Sequence, residues 1–161
     1  MREILFRGKR TDNGEWIEGL LVELGRESFS DPVRYGIVNK AIPTYGSNFD
    51  LSVYYNLKIV EIISKTVGQY TGLTDKNGTK IFEGDIIRWH DNTELSVGGQ
   101  IAEVCFGKYM DADRVFDDIY PLGFYIRFSD KNCVTISCLD EYKNYFDIIG
   151  NTYDNPGYIT I

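Results

Sequence analysis

The stretch that decides the fold is VGQYTGLTDKNGTKIFEGDIIRW, residues 67–89. Two sets of residues alternate over residues 67–73, a period of two that is typical of a β-strand, and β-branched and aromatic residues occur among them. One set is Val67, Gln69, Thr71 and Leu73, and the other is Gly68, Tyr70 and Gly72. Asn77 and Gly78 follow, and both residue types tolerate the positive φ that a tight hairpin turn requires. Residues 80–82 then resume the strand pattern. The sequence therefore predicts a hairpin at the start of this stretch.

A second interruption follows at Glu83, Gly84 and Asp85. Glycine lacks the Cβ that would clash in a turn or bulge, and we expect the Asp85 carboxylate to accept hydrogen bonds from N–H groups of the turn. Neighbouring carboxylates on one turn do not form the separated pair that glycoside hydrolysis needs, so this is a structural motif. Residues 86–89 are mostly apolar, which predicts a buried strand.

An earlier segment has a similar sequence pattern. TDNGEWIEGLLV (residues 11–22) and TDKNGTKIFEGDII (residues 74–87) share a turn, an apolar pair, Glu-Gly and a further apolar run. Two interpretations stay open. Two hairpins can use the same turn residues independently, which we favour, or a duplicated hairpin heads each of two subdomains.

The remaining chain also favours strands over helices. Twelve tyrosines and nine phenylalanines, against two methionines, suit the half-buried surface of a sheet. Ser64–Thr66 is the best candidate boundary, which gives an N-terminal β subdomain over residues 1–66 and a second subdomain over residues 67–161. We predict a mainly β fold of two closely packed modules, the C-terminal one an SH3-like, partly open barrel.

Three blocks of sequence resemble the YopX-like family of small phage and prophage proteins. They are REILFRGKR (residues 2–10), TGLTDKNGTKIFEGDII (residues 71–87) and DIIGNTYDNPGYI (residues 147–159). The resemblance implies a β-rich fold with an SH3-like barrel portion, a phage or prophage origin and self-assembly. It implies no activity that could be assigned to particular residues.

Charge bears on the kind of partner. The net charge is −7, and a surface of that sign repels a phosphate backbone on average, which argues against nucleic acid. The alternative is a nucleic-acid-binding module that uses a local basic patch near the N-terminus. The residues of this candidate patch are Arg2, Arg7, Lys9 and Arg10.

Residues able to carry chemistry are few. His90 is the only histidine, which excludes multi-histidine metal sites, and we expect it at the surface. Cys105, Cys133 and Cys138 could complete a zinc set with it, but a spacing of five places the last two on opposite faces of a strand. The acidic segment 111–118 lacks the ligand spacing and glycine of a calcium loop. A metal-assisted hydrolase that uses this segment is the weakest alternative.

Location and function follow from these exclusions. No apolar run approaches the roughly 20 residues that cross a bilayer, and the N-terminus lacks the apolar core of a signal peptide. An odd number of cysteines without CxxC fits a reducing compartment, here the cytoplasm of a bacterial host. We therefore predict a non-enzymatic accessory protein without cofactors or catalytic residues, which forms homo-oligomers and binds a phage or host protein.

Overall fold

The computed structural model describes residues 3–45, 53–91, 98–109, 122–128, 133–135 and 137–159. Over these residues the chain is mainly β, with antiparallel pairing throughout, which confirms the predicted fold class. The chain divides into two compact units, Met1–Gln69 and Tyr70–Ile161. The division falls three residues after the boundary that the sequence suggested.

The first unit is one antiparallel sheet in the order β4-β3-β2-β1, extended at β1 by the first residues of β5. A 3₁₀ turn at Ser64–Thr66 precedes β5. Its four complete strands are β1 (Phe6–Lys9), β2 (Trp16–Gly25), β3 (Arg34–Tyr45) and β4 (Val53–Ile62).

This sheet bends until its first and last strands meet. Arg10 forms a bridge with Ile62, and the side chains of Ile62 and Ile37 are both buried. Gly8 allows this close approach, because a Cβ on it would lie 2.6 Å from Ile62 Cδ1. Gly19 allows a similar approach between β2 and β3, since a Cβ there would overlap the Val38 carbonyl oxygen. Both contacts require a position without a side chain.

The second unit contains the end of β5 paired with β6, and a five-stranded sheet in the order β10-β9-β8-β7-β11. Whether it closes as an SH3-like barrel stays a prediction. Its elements are β5 (Gly68–Thr74), β6 (Lys80–Phe82), β7 (Asp85–Trp89), β8 (Ile101–Lys108), β9 (Leu122–Phe128), β10 (Cys133–Thr135), α1 (Ser137–Glu141) and β11 (Phe146–Asn151).

The core of the second unit forms around the strand that ends the deciding stretch. Ile87 and Trp89 of β7 are buried, and Trp89 packs edge-on against Phe146 of β11, with 5.5 Å between ring centroids. Val104 and Ile126 contribute from β8 and β9 and are fully buried. Alternate residues of neighbouring strands thus supply one continuous apolar layer.

The hairpin turn between β5 and β6 is organised by an aspartate. Asp75 Oδ1 accepts hydrogen bonds from the backbone N–H of Asn77 at 2.8 Å and of Thr79 at 2.7 Å. Gly78 has a φ of +82°, a conformation that L residues with side chains rarely adopt. The aspartate and the glycine therefore fix the reversal together.

The turn between β6 and β7 depends on Gly84 and Asp85. Gly84 has a φ of +80°, and its carbonyl oxygen accepts a hydrogen bond from the Thr152 N–H at 2.8 Å. Asp85 is 2% exposed, and its Oδ2 accepts a hydrogen bond from the Phe82 N–H at 2.8 Å. Glu83 lies between Phe82 and Gly84 in the chain and is half-buried. The buried carboxylate satisfies a backbone donor that the turn would otherwise leave without a partner.

Replacing Gly84 with valine should lower the free energy of unfolding by about 1–3 kcal/mol, because a β-branched residue is strained at positive φ. The added Cβ would also lie 3.2 Å from Thr152 Oγ1. Urea denaturation measures the change. Gly123→Val is the matched control, since Gly123 lies in β9 with nothing within 4 Å of an added Cβ. Equal effects of the two substitutions would contradict the assigned strain.

Candidate interaction surface

The first unit exposes a row of aliphatic side chains across three adjoining strands. Leu20 of β2 pairs with Val38 of β3, which pairs with Ile59 of β4. Leu57 lies two residues further along β4 and therefore on the same face. Leu20, Leu57 and Ile59 are 58%, 56% and 46% exposed. We call these four residues the outer aliphatic row.

Strand periodicity explains why these residues face outward. The adjacent cross-strand row, Leu21, Ile37 and Val60, points to the opposite side of the sheet, where Ile37 is fully buried. Lys58 lies between Leu57 and Ile59 and alternates to that side as well. One face of this sheet thus buries Ile37, while the other presents aliphatic side chains.

The apolar surface extends from the outer aliphatic row toward the turn between β2 and β3. A Cβ placed on Gly36 would lie 2.7 Å from Ile59 Cγ2 and 3.3 Å from Leu24 Cδ1. Ile59 and Leu24 therefore fill the space above this glycine. The glycine in the middle strand lets its neighbours close over the backbone, so the apolar surface has no gap there.

Charged pairs of mixed sign lie at both ends of the outer aliphatic row. At one end Arg7 of β1 is the cross-strand partner of Glu18 of β2. At the other end Arg34 Nη1 lies 3.7 Å from Glu61 Oε1. Neither end therefore presents a block of a single charge. A contact over this face would desolvate few charges and could form ion pairs at its rim.

Strand β4 is also the outermost strand of its sheet. Its C-terminal end is closed by the bridge between Ile62 and Arg10 and by a hydrogen bond of 3.1 Å from the Thr11 N–H to the Glu61 carbonyl. Along its other residues no second strand pairs with it in the part of the chain that the structure describes. Such an edge is a common place for another chain to pair.

Two of the predicted basic residues share an aromatic neighbour. The Arg7 guanidinium lies 4.9 Å from the centroid of the Trp16 ring, and Lys9 Nζ lies 5.7 Å from it. These distances are those of cation–π contacts. The cations and the ring already contact one another, so the indole is not an open platform for stacking a base.

A third predicted basic residue, Arg10, is paired with acidic neighbours. Arg10 Nη2 lies 2.6 Å from Asp12 Oδ2, and Arg10 Nη1 lies 3.9 Å from Glu15 Oε2. Two carboxylates therefore offset its charge. Arg2 lies outside the described residues. Of the four predicted residues, the structure brings Arg7 and Lys9 together on one strand.

His90 belongs to a polar cluster that sequence reasoning missed. Its Nε2 lies 3.0 Å from Asp147 Oδ2, and Lys76 Nζ lies 2.9 Å from Asp147 Oδ1. The hydrogen bond from Lys76, followed by that from His90, lowers the pKa of Asp147 below its ordinary value. Asp147 is 57 positions from His90 in the chain. No local motif could have indicated that pairing.

The cysteine prediction is tested at one position. Cys105 is a free, buried thiol, and burial raises its pKa to about 12, so it is protonated at neutral pH. No cluster of three or more His, Cys, Asp or Glu side chains suited to a metal occurs in the described ranges. The side chains of Cys133 and Cys138, and residues 111–118, lie outside what the structure describes.

The fold and this surface define a mainly β protein of two antiparallel units with an exposed aliphatic sheet face. The family model described as YopX protein matches residues 5–160, so the chain belongs to the YopX family. None of the helices that the structure describes has the length and apolar character needed to cross a membrane.

The fold has a relative among solved structures. The chain is similar to the protein titled "Crystal structure of protein EF1440 from Enterococcus faecalis", with 22% identity and a TM-score of 0.58. The likeness covers 99% of this chain and 100% of that one. At this identity it concerns the fold alone. Comparison with curated proteins gives no match.

Proposed function

We propose that the chain is a non-enzymatic phage or prophage accessory protein of the bacterial cytoplasm that assembles with itself and binds a phage or host protein. Membership of the YopX family and the outer aliphatic row support this proposal. The row is the observation that carries it. Exposed apolar side chains on adjoining strands are typical of an interaction surface.

A second copy of the chain is the occupant that fits this face. A charge of −7 makes two copies repel over most of their surface, and the repulsion is smallest where side chains are uncharged. In a two-fold contact an apolar row meets itself, so it is self-complementary. The mixed-sign pairs at its ends, Arg7 with Glu18 and Arg34 with Glu61, can exchange partners between copies.

The free energy gained by burying the outer aliphatic row favours assembly but is not sufficient for it. Burying the half-exposed part of one Leu or Ile side chain is worth about 1 kcal/mol. Three such side chains from each of two copies therefore contribute roughly 6 kcal/mol, which lies within the range of about 4–15 kcal/mol that association costs. The charged pairs at its ends must supply the rest.

Co-expression of two differently tagged copies tests the proposal. If the chain assembles with itself, purification through one tag retains the second tag in a fixed ratio. Recovery of a single tag would remove the basis of the proposal. Binding of a phage or host protein is tested by purifying the tagged chain from induced host cells. A co-purifying protein in stoichiometric amount supports that part of the proposal, and its absence contradicts it.

A nucleic-acid-binding module is the second candidate, because Arg7 and Lys9 lie together over Trp16. Two phosphate contacts would give a slope of about −1.8 for log affinity against log salt on duplex DNA. Fluorescence anisotropy with a labelled duplex measures it. We expect no binding at physiological salt. A slope near that value, abolished by Arg7→Gln with Lys9→Gln, would favour the second candidate over our proposal.

A further inference from the structure

The outward-facing backbone groups of β4 can be identified from one hydrogen bond. The Thr11 N–H donates to the Glu61 carbonyl oxygen at 3.1 Å, so the backbone groups of Glu61 face away from β3. In an antiparallel strand these groups alternate between the two sides, and β4 has no inserted residue that would change the alternation. The N–H and C=O groups of Leu57 and Ile59 therefore face outward as well. Among the described residues no strand pairs with them.

β3 and β4 continue together as a two-stranded ribbon past the end of their sheet. The pairing of β2 with β3 stops at Leu20 with Val38. Residues 40–45 then pair with residues 53–58 and with no other strand in the part of the chain that the structure describes. A ribbon of two strands is marginally stable in water, and a third strand stabilises it. Pro43 lacks the N–H that a strand added beside β3 would require, which leaves β4 as the side for such an addition.

The ribbon is positively charged in a protein that is acidic overall. Lys40 and Lys58 are exposed and are direct cross-strand partners. Residues 40–45 and 53–60 contain no acidic residue, whereas the whole chain has a net charge of −7. Like charges directly opposite each other destabilise a strand pair. A carboxylate on a neighbouring strand, opposite Lys58, would offset this repulsion.

A second copy of β4 is a poor occupant of this edge. Pairing of two β4 edges around residues 57–59 would bring the Lys40–Lys58 pairs of both copies together, and lysine on an edge strand discourages such pairing. The proposed self-assembly uses the outer aliphatic row, which meets its counterpart face to face. That contact leaves the edge of β4 open for a different chain.

We propose that the edge of β4 binds an extended acidic segment of the phage or host protein as an added antiparallel strand. The inference rests on the partner binding in the proposed function. Two residues of the segment exchange backbone hydrogen bonds with Leu57 and Ile59, and the residue between them places a carboxylate opposite Lys58. The two flanking side chains lie beside Leu57 and Ile59, where aliphatic groups fit. The segment therefore alternates aliphatic and acidic residues.

Synthetic peptides with both ends blocked test this inference on the purified chain. One peptide of about seven residues, an ordinary strand length, alternates valine with aspartate, and a matched peptide carries lysine in place of aspartate. Fluorescence anisotropy of the labelled peptides measures their affinities. We expect saturable binding of the aspartate peptide and binding of the lysine peptide that is weaker by about tenfold.

Two methylated peptides distinguish strand addition from simple attraction between charges. Methyl groups on the valine nitrogens block the N–H groups that face β4, whereas methyl groups on the aspartate nitrogens point away from it. The first modification should abolish binding and the second should retain it. In hydrogen exchange, the amide hydrogens of Leu57 and Ile59 should exchange more slowly when the unmodified aspartate peptide is bound.

A charge reversal provides the matching test on the chain. Lys58→Glu should reverse the preference, so that the lysine peptide binds more tightly than the aspartate peptide. Lys143→Glu makes the same change at an exposed lysine of the second unit and should leave the preference unchanged. The inference is overturned if the aspartate peptide does not bind, if the two methylated peptides bind alike, or if the preference survives Lys58→Glu.

Two parallel measurements separate this inference from other accounts. A labelled single-stranded oligonucleotide that binds when the aspartate peptide does not would overturn it in favour of a nucleic-acid contact. Light scattering on the same samples reports self-assembly independently of the peptide. An assembled chain that does not bind the peptide overturns this inference alone, and a monomeric chain that binds it supports the inference while contradicting the proposed self-assembly.

Discussion

Replacing both Leu57 and Ile59 with glutamate is expected to convert the proposed assembly into a folded monomer. Both side chains lie on the outer face of β4 and are about half exposed in the isolated chain, so the substitutions cost the monomer little. In a two-fold contact four carboxylates would meet in an apolar interface. Each unpaired buried charge costs about 3–5 kcal/mol, so affinity should fall by at least about a thousandfold.

Size-exclusion chromatography with light scattering measures this change, and circular dichroism verifies that the variant is folded. Lys58→Glu provides the matched control, because residue 58 lies between the two positions on the same strand but faces the opposite side. It should leave the assembly intact. An unchanged mass in the double variant, or monomers from the control as well, would show that the outer aliphatic row is not the interface.

Phe146→Ala is expected to lower the stability of the second unit by about 3–5 kcal/mol. Phe146 is fully buried and packs against Trp89, so its truncation leaves a cavity between β11 and β7. Phe146→Leu retains most of the volume and should cost less than about 1.5 kcal/mol. If the alanine variant is less stable than the leucine variant, the loss of stability comes from a cavity. If both lose the same stability, the position does not tolerate substitution in general.

Tryptophan fluorescence during urea denaturation can follow this unit selectively. The protein has two tryptophans, Trp16 in the first unit and Trp89 in the second. A Trp16→Phe background leaves Trp89 as the reporter beside the mutated position. Equal stabilities of the alanine and leucine variants, or a loss below about 1 kcal/mol for alanine, would contradict a packed core at this point.

The local chemistry of the deciding stretch could be predicted from its residues. Gly84 adopts the positive φ that its position in a turn suggested, and the Asp85 carboxylate accepts a backbone N–H as expected. These features depend on neighbours within a few positions. The sequence similarity between residues 11–22 and 74–87 was less informative, because Gly19 lies inside β2 opposite Phe6 whereas Gly84 lies in a turn. The same Glu-Gly pair thus occupies two different structures.

The outer aliphatic row could not be predicted because it depends on strand register. Leu20, Val38 and Ile59 meet through pairings that join β2, β3 and β4, and the register shifts between Val38 and Lys40. A shift of one residue would turn such a row to the other face. The Asp147 cluster likewise arises because β7 and β11 pair from distant parts of the chain.

The molar mass of the purified chain at micromolar concentration tests the central claim most directly. One copy has a mass of 18.5 kDa. If the chain assembles through its exposed sheet face, light scattering should give an integral multiple of that mass, which falls as the sample is diluted toward the dissociation constant. A constant mass of one copy across the micromolar range would contradict the account.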